Sequence, residues 1–313
     1  MTDRNGRPGF RPFARARVRS APSFWLAGAA LVACGLAVSG CGAAGAVGSA
    51  GASGSPSRSR PSASPSDSTP AATASASPSP SPSPSPSPSP AALPLAGKIV
   101  GIDPGHNGGN FNAADTIGQE IWNGTGWESC DTTGTTTDGG YTEAQFNFNV
   151  ALDLRADLRR DGARVVMTRT SNDGVGPCVN TRSQIINNAG ANVAVDVHAD
   201  GGPSSGRGFT ILEPIADGPN DHVIAASQRF GNDVRQAMLT GTSMPESDYT
   251  GTDGILPRDD LAGLNLTTVP KVLIECGNMR NATDAEMLVT AGFQARVART
   301  LTAAIVRFLD GQG

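Results

Sequence analysis

The sequence predicts a single α/β domain over residues 97–313, with a twisted, mostly parallel or mixed sheet of about six strands flanked by helices. Short β-branched apolar runs alternate with longer runs whose apolar residues recur every three or four positions. This alternation is typical of strands followed by amphipathic helices. About 217 residues follow residue 96, which is enough to bury a sizeable core in one domain.

Residues 1–40 have the composition of a secretory signal peptide. Arginines precede an apolar stretch over residues 24–38, and small residues follow it. The four residues ending at Cys41 resemble the bacterial lipobox, in which the cysteine is acylated and becomes the new N-terminus. We therefore expect a lipid on Cys41. The alternative is an uncleaved membrane anchor, although the apolar stretch is short for a membrane span.

Residues 41–96 are predicted to be a disordered linker that begins at the lipidated cysteine. They consist mainly of Ser, Pro, Ala and Gly, with strict Ser-Pro alternation over residues 77–90, and such a segment cannot bury a core. Proline-rich chain is a semi-rigid spacer of about 3.1 Å per residue, so about fifty residues span on the order of 150 Å. The linker is expected to hold the folded domain well away from the membrane.

The chain is acidic, with 24 Lys and Arg, 28 Asp and Glu, and a net charge of −4. Six arginines and one aspartate lie in residues 1–40, so removing that segment leaves a net charge of about −9. Such a chain is not expected to bind nucleic acid through its bulk charge.

Buried strands are predicted at residues 98–102, 163–168, 192–200, 209–212 and 272–276. Pro104 and Gly105 end the first strand and present His106 on a loop at its carboxyl end, where open α/β sheets usually bind ligands. His198 and Glu275 also lie at the ends of buried runs. An unpaired buried charge costs several kcal/mol, so Glu275 needs a partner or a chemical role.

Helices are predicted at residues 143–160, from Thr181 onward, at 222–238 and at 293–309. Thr142 and Gln145 form a capping box that places Glu143 in the first turn of the first of these helices. Thr181 is predicted to cap the second helix. His222 begins the third and is predicted to be a surface residue.

The segment 107–141 is long, irregular and rich in Gly, Thr and Asn, and segments of this kind are usually functional or mobile. Its Trp122 and Trp127 either stack on sugar or peptide beside a cleft or pin the segment to the core, and the sequence leaves both open.

The cysteines predict one disulfide. In an oxidising compartment, and with Cys41 acylated, the candidates are Cys130, Cys178 and Cys276. Cys276 lies in a buried strand and has the character of a small core residue. We therefore predict a Cys130–Cys178 bond, which would tether the long segment near the site.

Four residues are expected to meet at the carboxyl edge of the sheet. His106, His198 and Glu275 end strands, and Glu143 opens the helix that follows the first strand. Two neutral imidazoles and one carboxylate are the ligands of a catalytic Zn²⁺ that keeps a fourth position open for water. A second carboxylate can then accept the proton of that water.

The motifs around these residues, 103–106 (DPGH), Glu143 at a helix start, 197–199 (VHA) and 275–281 (ECGNMRN), resemble the third class of zinc-dependent N-acetylmuramoyl-L-alanine amidases. The resemblance spans nearly the whole domain. It implies that His106, Glu143 and His198 bind zinc and that Glu275 is the catalytic glutamate. It also implies a supporting role for Arg182. Asp196 is a departure, because serine is common there in the family.

The resemblance implies hydrolysis of the amide between N-acetylmuramic acid and the L-alanine of the peptidoglycan stem peptide. The expected substrate is peptidoglycan or a muropeptide, and the expected location is outside the cytoplasm, on a membrane lipid facing the cell wall. We expect a monomer. The alternatives are a binding or regulatory protein that has lost hydrolysis, and a zinc carboxypeptidase or deacetylase acting on the same wall.

Overall fold

The computed structural model describes residues 92–311 of the chain. The helices and strands follow in this order: β1 (Ile99–Pro104), α1 (Ala114–Ile117), β2 (Glu120–Trp122), β3 (Trp127–Ser129), α2 (Glu143–Arg160), β4 (Arg164–Met167), α3 (Val179–Asn188), β5 (Val193–Asp200), β6 (Thr210–Pro214), α4 (Ile224–Gly241), β7 (Ile255–Arg258), α5 (Ala262–Asn265), β8 (Lys271–Asn278), α6 (Ala282–Leu288) and α7 (Ala291–Asp310). The predicted signal peptide, Cys41 and nearly all of the linker lie outside the described residues.

The main sheet has six strands in the order β4-β1-β5-β8-β6-β7. The first four run parallel to one another, β6 runs antiparallel to β8, and β7 is parallel to β6. The predicted six-stranded, mostly parallel or mixed sheet is therefore confirmed. A separate hairpin, β2–β3, lies within the long segment 107–141.

The two faces of this sheet differ. On one face, alternate strand residues such as Ile102, Val195 and Ile274 form the main core with α2, α4 and α7. On the other face, two small apolar clusters pack beneath α3 and α5. Because side chains alternate between faces along a strand, the intervening residues, including Asp196 and His198, belong to this second face.

Most predicted elements are confirmed, with shifted ends. Thr142 caps α2 as predicted, since its side chain accepts a hydrogen bond from the Gln145 N–H. The prediction for Thr181 is wrong, because α3 begins at Val179 directly after Cys178, which places Thr181 inside the first turn. Strand β8 continues to Asn278, so Glu275 lies inside the strand rather than at its end.

The folded domain begins slightly before residue 97. Leu95, which lies within the predicted linker of residues 41–96, is fully buried in the main core, and its N–H donates to the Asp161 carbonyl. Within residues 92–311, every helix is too short or too polar to cross a bilayer.

Candidate active site

The fold brings His106, Glu143, His198 and Glu275 together around one cleft. His106 follows β1 in the left-handed region with φ 56°, and the Thr142 cap fixes the first residue of α2, Glu143. His198 on β5 and Glu275 on β8 are direct partners in the parallel register. The turn after β1, the cap of α2 and the pairing of β5 with β8 therefore position the four side chains.

Three of these residues converge on a single point. Glu143 Oε1 lies 3.2 Å from His106 Nε2 and 2.8 Å from His198 Nδ1. One nitrogen of each histidine and one oxygen of Glu143 all lie within 4.8 Å of one another. Two imidazoles and one carboxylate in this arrangement have the donor chemistry of a catalytic metal site with an open position, so the residues present fit a metal ion.

The nitrogens that face away from this point have partners of their own. His106 Nδ1 lies 3.3 Å from Asp131 Oδ1 and 3.2 Å from the Thr132 carbonyl oxygen. His198 Nε2 lies 3.2 Å from Asp196 Oδ1. Carboxylates and carbonyls on the far nitrogen of a metal-binding histidine set its tautomer and ring orientation.

Two glycines make room for these rings. A Cβ at Gly105 would lie 2.1 Å from the His198 ring, and one at Gly134, where φ is +70°, would lie 2.7 Å from the His106 ring. Real Cβ atoms essentially never approach so closely, so any larger residue at either position would push a histidine away from the others.

The electrostatic field at the convergence point favours a cation. Burial opposes protonation of His106, but the negative charge of Glu143 and the hydrogen bond to Asp131 outweigh it and raise the pKa of His106 to about 9. For His198, Asp196 and Glu143 likewise overcome burial and raise the pKa well above its usual value. Burial alone would raise the pKa of Glu143, but the two histidines lower it.

Glu275 differs from Glu143 in both its pKa and its contacts. Burial and the nearby charges of Glu143 and Asp200 raise the pKa of Glu275 to about 8, although His198 acts in the opposite direction. Its buried Oε2 has no hydrogen-bond partner among the described residues. A carboxylate oxygen without a partner beside the convergence point is able to take a proton from a bound molecule.

The cleft over these residues has a volume of about 380 Å³ and is also lined by residues 132–135, Asp200, Leu212 and Arg258. Arg258 is the one Lys or Arg among these lining residues, and its guanidinium is paired with Asp260 at 2.6 Å. An anionic group that entered the cleft would meet this arginine.

The other sequence predictions fall around this site. Cys130 and Cys178 are joined by a disulfide, and Cys276 is free and buried. His222 is exposed, and its Nε2 lies 3.2 Å from the Thr268 carbonyl oxygen. It is not part of the His-Glu-His group.

The tryptophans do not pin the long segment to the core. Trp122 is 48% exposed and Trp127 is 67% exposed, and the two rings pack edge to face on the β2–β3 hairpin. Polar contacts hold the hairpin instead: Glu128 accepts from the Ala262 N–H, and Thr125 donates to the Asp259 carbonyl. Both tryptophan rings are therefore available for contact with another molecule.

Sequence reasoning missed the contacts of Asp131, Asp196 and Arg258 at this site. Asp196 lies in an apolar strand run, where a charged residue needs a partner. That signal was available. No comparable local signal marks Asp131 or Arg258, because both lie in polar stretches of the chain.

Known proteins resemble this chain over most of the described domain. Residues 100–307 match the N-acetylmuramoyl-L-alanine amidase family. The chain is 38% identical over 226 residues to an N-acetylmuramoyl-L-alanine amidase of Mycobacterium tuberculosis, a match that covers 70% of this chain and 89% of the relative.

Solved structures agree with the sequence comparison. The apo form of the N-acetylmuramyl-L-alanine amidase Ami1 from Mycobacterium abscessus is 39% identical, with a TM-score of 0.65 over 69% of this chain and 100% of that chain. Ami1 from Mycobacterium smegmatis is 37% identical, with a TM-score of 0.66 over 70% of this chain and 99% of that chain.

Proposed function

Because the chain belongs to the N-acetylmuramoyl-L-alanine amidase family, we propose that it hydrolyses the amide between N-acetylmuramic acid and the L-alanine of the peptidoglycan stem peptide. The observation that carries this proposal is the convergence of His106, Glu143 and His198 beside the unpartnered Oε2 of Glu275. This set supports metal-assisted amide hydrolysis, with one group of residues for the metal and a separate carboxylate for the proton.

His106, Glu143 and His198 are the proposed ligands of Zn²⁺. Enzymes of this family are generally metal-dependent, and the donor set suits zinc, which prefers imidazole and carboxylate ligands in open catalytic sites. When bound, zinc supplies a Lewis acid that polarises the scissile carbonyl and makes a water more acidic. The role of Asp131 and Asp196 is to keep both rings oriented toward the ion.

Glu275 is the proposed general base and acid. Its carboxylate accepts the proton from the attacking water and delivers it to the departing amine of L-alanine, so that no charged amide nitrogen has to leave. The unpartnered Oε2 supports this role, because no other described side chain competes for the proton.

The exposed tryptophans and Arg258 support a substrate groove beside the cleft. The hairpin that carries Trp122 and Trp127 packs on residues 259–262, next to Arg258. We assign the aromatic pair to contact with sugar or peptide, and Arg258 to contact with a carboxylate of the stem peptide. This groove is the proposed path of the muropeptide.

The proposed location of the enzyme is outside the cytoplasm. Residues 1–40 act as the signal peptide, Cys41 carries the lipid, and the Ser/Pro-rich linker lets the catalytic domain reach peptidoglycan from the membrane. The sequence in these segments supports this arrangement, and the domain acts as a monomer.

The test is an assay of the full chain, supplied with Zn²⁺, on purified muropeptides that carry intact stem peptides, read by mass spectrometry. We expect peptides with a free L-alanine amine and sugars whose lactyl group ends in a newly formed carboxylate. Cleavage within the stem peptide, or loss of acetate from the sugar, would assign a carboxypeptidase or deacetylase instead. Binding without any cleavage would assign a protein that has lost hydrolysis.

A further inference from the structure

A pair of buried aspartates lies beneath the histidines, on the same face of the sheet as His198. Asp103 on β1 and Asp196 on β5 are direct partners in the parallel register, and both are almost completely buried. Two carboxylates on neighbouring strands repel each other strongly where water is excluded. This pair therefore requires a cation.

Lys271, the first residue of β8, supplies that cation. It is 1% exposed, and its Nζ lies 3.2 Å from Asp103 Oδ2 and 3.4 Å from Asp196 Oδ2. The ammonium group of a buried lysine loses its hydration, which costs free energy. The two carboxylates compensate this cost by pairing with the ammonium group.

The oxygen of Asp196 that does not face Lys271 faces the nitrogen of His198 that points away from the metal site. Asp196 Oδ1 lies 3.2 Å from His198 Nε2. It lies within ion-pair distance of this nitrogen and has no hydrogen-bond partner among the described residues. Lys271 therefore holds one oxygen of Asp196 and leaves the other available to the histidine.

The same pattern occurs on the other histidine. Asp131 uses Oδ1 toward His106 and Oδ2 toward Arg182, at 2.8 Å. Arg182 also contacts Asp103 Oδ1 at 3.0 Å. Each histidine thus has its own carboxylate, each carboxylate has its own cation, and Asp103 joins the two cations.

The charges of this chain of residues complement a divalent cation. Three aspartates and two basic residues leave one negative charge. A divalent ion held by two neutral imidazoles and one carboxylate carries one positive charge. Buried charges are tolerated when they are paired, so the two groups balance each other when the ion is bound.

We propose that Lys271 is a positioning residue of the metal site, which acts through Asp196 on His198 and is linked through Asp103 and Arg182 to His106. Its contribution is to metal affinity, although it contacts neither histidine in any ion pair or hydrogen bond of the described residues. The inference rests on the proposed function only in taking the ion to be Zn²⁺.

The test measures the affinity of the full chain for Zn²⁺ alone, by competition with a chromogenic chelator well below the melting temperature. The variants are Lys271→Met, Asp196→Asn and the double variant. Residues that orient metal ligands typically contribute about 10–100-fold to metal affinity, so each single variant should weaken binding by about that factor. The double variant should bind zinc no more weakly than the single variant with the lower affinity, because both changes interrupt the same chain of contacts from Lys271 through Asp196 to His198.

Asp284→Asn is the matched control. Asp284 is also fully buried and ion-paired, to Arg207, but it belongs to α6 and contacts none of these residues. It should lower the melting temperature and leave zinc affinity unchanged. If Lys271→Met lowered the melting temperature in the same way but left zinc affinity within about twofold of the unaltered chain, Lys271 would be a structural residue only and the inference would fail.

Asp103→Asn provides a second route if Lys271→Met does not fold. This substitution removes the negative charge that joins Lys271 and Arg182 while it keeps the size of the side chain. It should also weaken zinc binding. Unchanged affinity in this variant would overturn the inference. The readout is zinc affinity, so this test is independent of amidase activity. If the unaltered chain bound zinc but did not cleave muropeptides, the proposed function would be overturned. The expected losses of zinc affinity in the variants would still support the present inference.

Discussion

The face of the sheet beneath α2, α4 and α7 is apolar along the central strands, whereas the opposite face carries charged residues on those same strands. Val195, for example, is buried in the main core, while its neighbour Asp196 contacts Lys271. The difference shows how one set of strands serves two purposes. Apolar burial on the first face stabilises the sheet, and this allows the second face to hold closely packed charges that contribute chemistry.

The largest expected effect follows from removing a histidine on the charged face. His106→Ala or His198→Ala should abolish both zinc content and amidase activity, because two remaining ligands do not hold the ion. Metal analysis and the muropeptide assay measure the two effects. His222→Ala is the control and should keep its zinc; loss of zinc there would show that the ligand set is wrong.

A change at Glu275 should separate proton transfer from metal binding on this face. Glu275→Gln keeps the size of the side chain but cannot accept a proton, so kcat should fall by about 10²–10⁴-fold. Zinc content should stay near one per chain, and stability should hold because the amide has nearly the same size as the carboxyl group. An inactive variant without zinc would make Glu275 a ligand, and full activity would remove it from the mechanism.

A change on the apolar face should have the opposite profile. Phe230 on α4 is fully buried and packs against Phe308, with the ring centroids 5.1 Å apart. Phe230→Ala should lower the free energy of unfolding by about 3–5 kcal/mol, as measured by denaturant titration. Zinc affinity should not change, and a large loss of affinity would mean that the two faces are not independent.

The two faces should also differ in how pH affects stability. Burial acts to raise the pKa of Asp103, but Lys271 and Arg182 hold it well below its usual value. A lowered folded-state pKa means that the ionised carboxylate stabilises the fold above about pH 4 and that this contribution is lost as pH falls further. The stability difference between the unaltered chain and Asp103→Asn should therefore shrink below about pH 4.

Glu213 lies on the apolar face, where its carboxylate packs against Gly231 of α4. Burial raises the pKa of Glu213 from 4.5 to about 7, so the folded state binds the proton more tightly and stability falls as pH rises across that interval. Glu213→Gln should remove this loss, so the variant should be more stable than the unaltered chain at pH 8 but not at pH 4. Denaturant titrations at the two pH values measure it, and an equal effect at both would contradict the assignment.

The smallest expected effect concerns the hairpin at the edge of the charged face. Trp127→Ala should raise KM for muropeptides several-fold through the loss of a stacking contact, typically worth about 1 kcal/mol, with little change in zinc content or stability because the ring is exposed. Trp122→Ala serves as the partner variant. If neither kcat nor KM changed in either variant, the aromatic pair would not contact substrate.

The amino-acid sequence by itself predicted the strands, the helices and the four residues that surround the cleft. These features depend on local signals: side-chain periodicity, the Thr142 capping box, and the Pro104-Gly105 turn that presents His106. Such signals depend on residues that are close in sequence, so they can be recognised without the three-dimensional structure. Glu275 could also be predicted from the sequence, because a charged residue in a buried strand needs a partner or a chemical role.

Only the tertiary structure decided which charges pair and where the tryptophans face. The register between β1, β5 and β8 places Lys271 between Asp103 and Asp196, and the reversal of β6 and β7 brings Arg258 to the cleft. Periodicity assigns each residue to a face but does not specify its partner on the next strand, because pairing depends on how distant segments align. The buried lysine and its two aspartates acquired a role only when three strands, far apart in sequence, came into register.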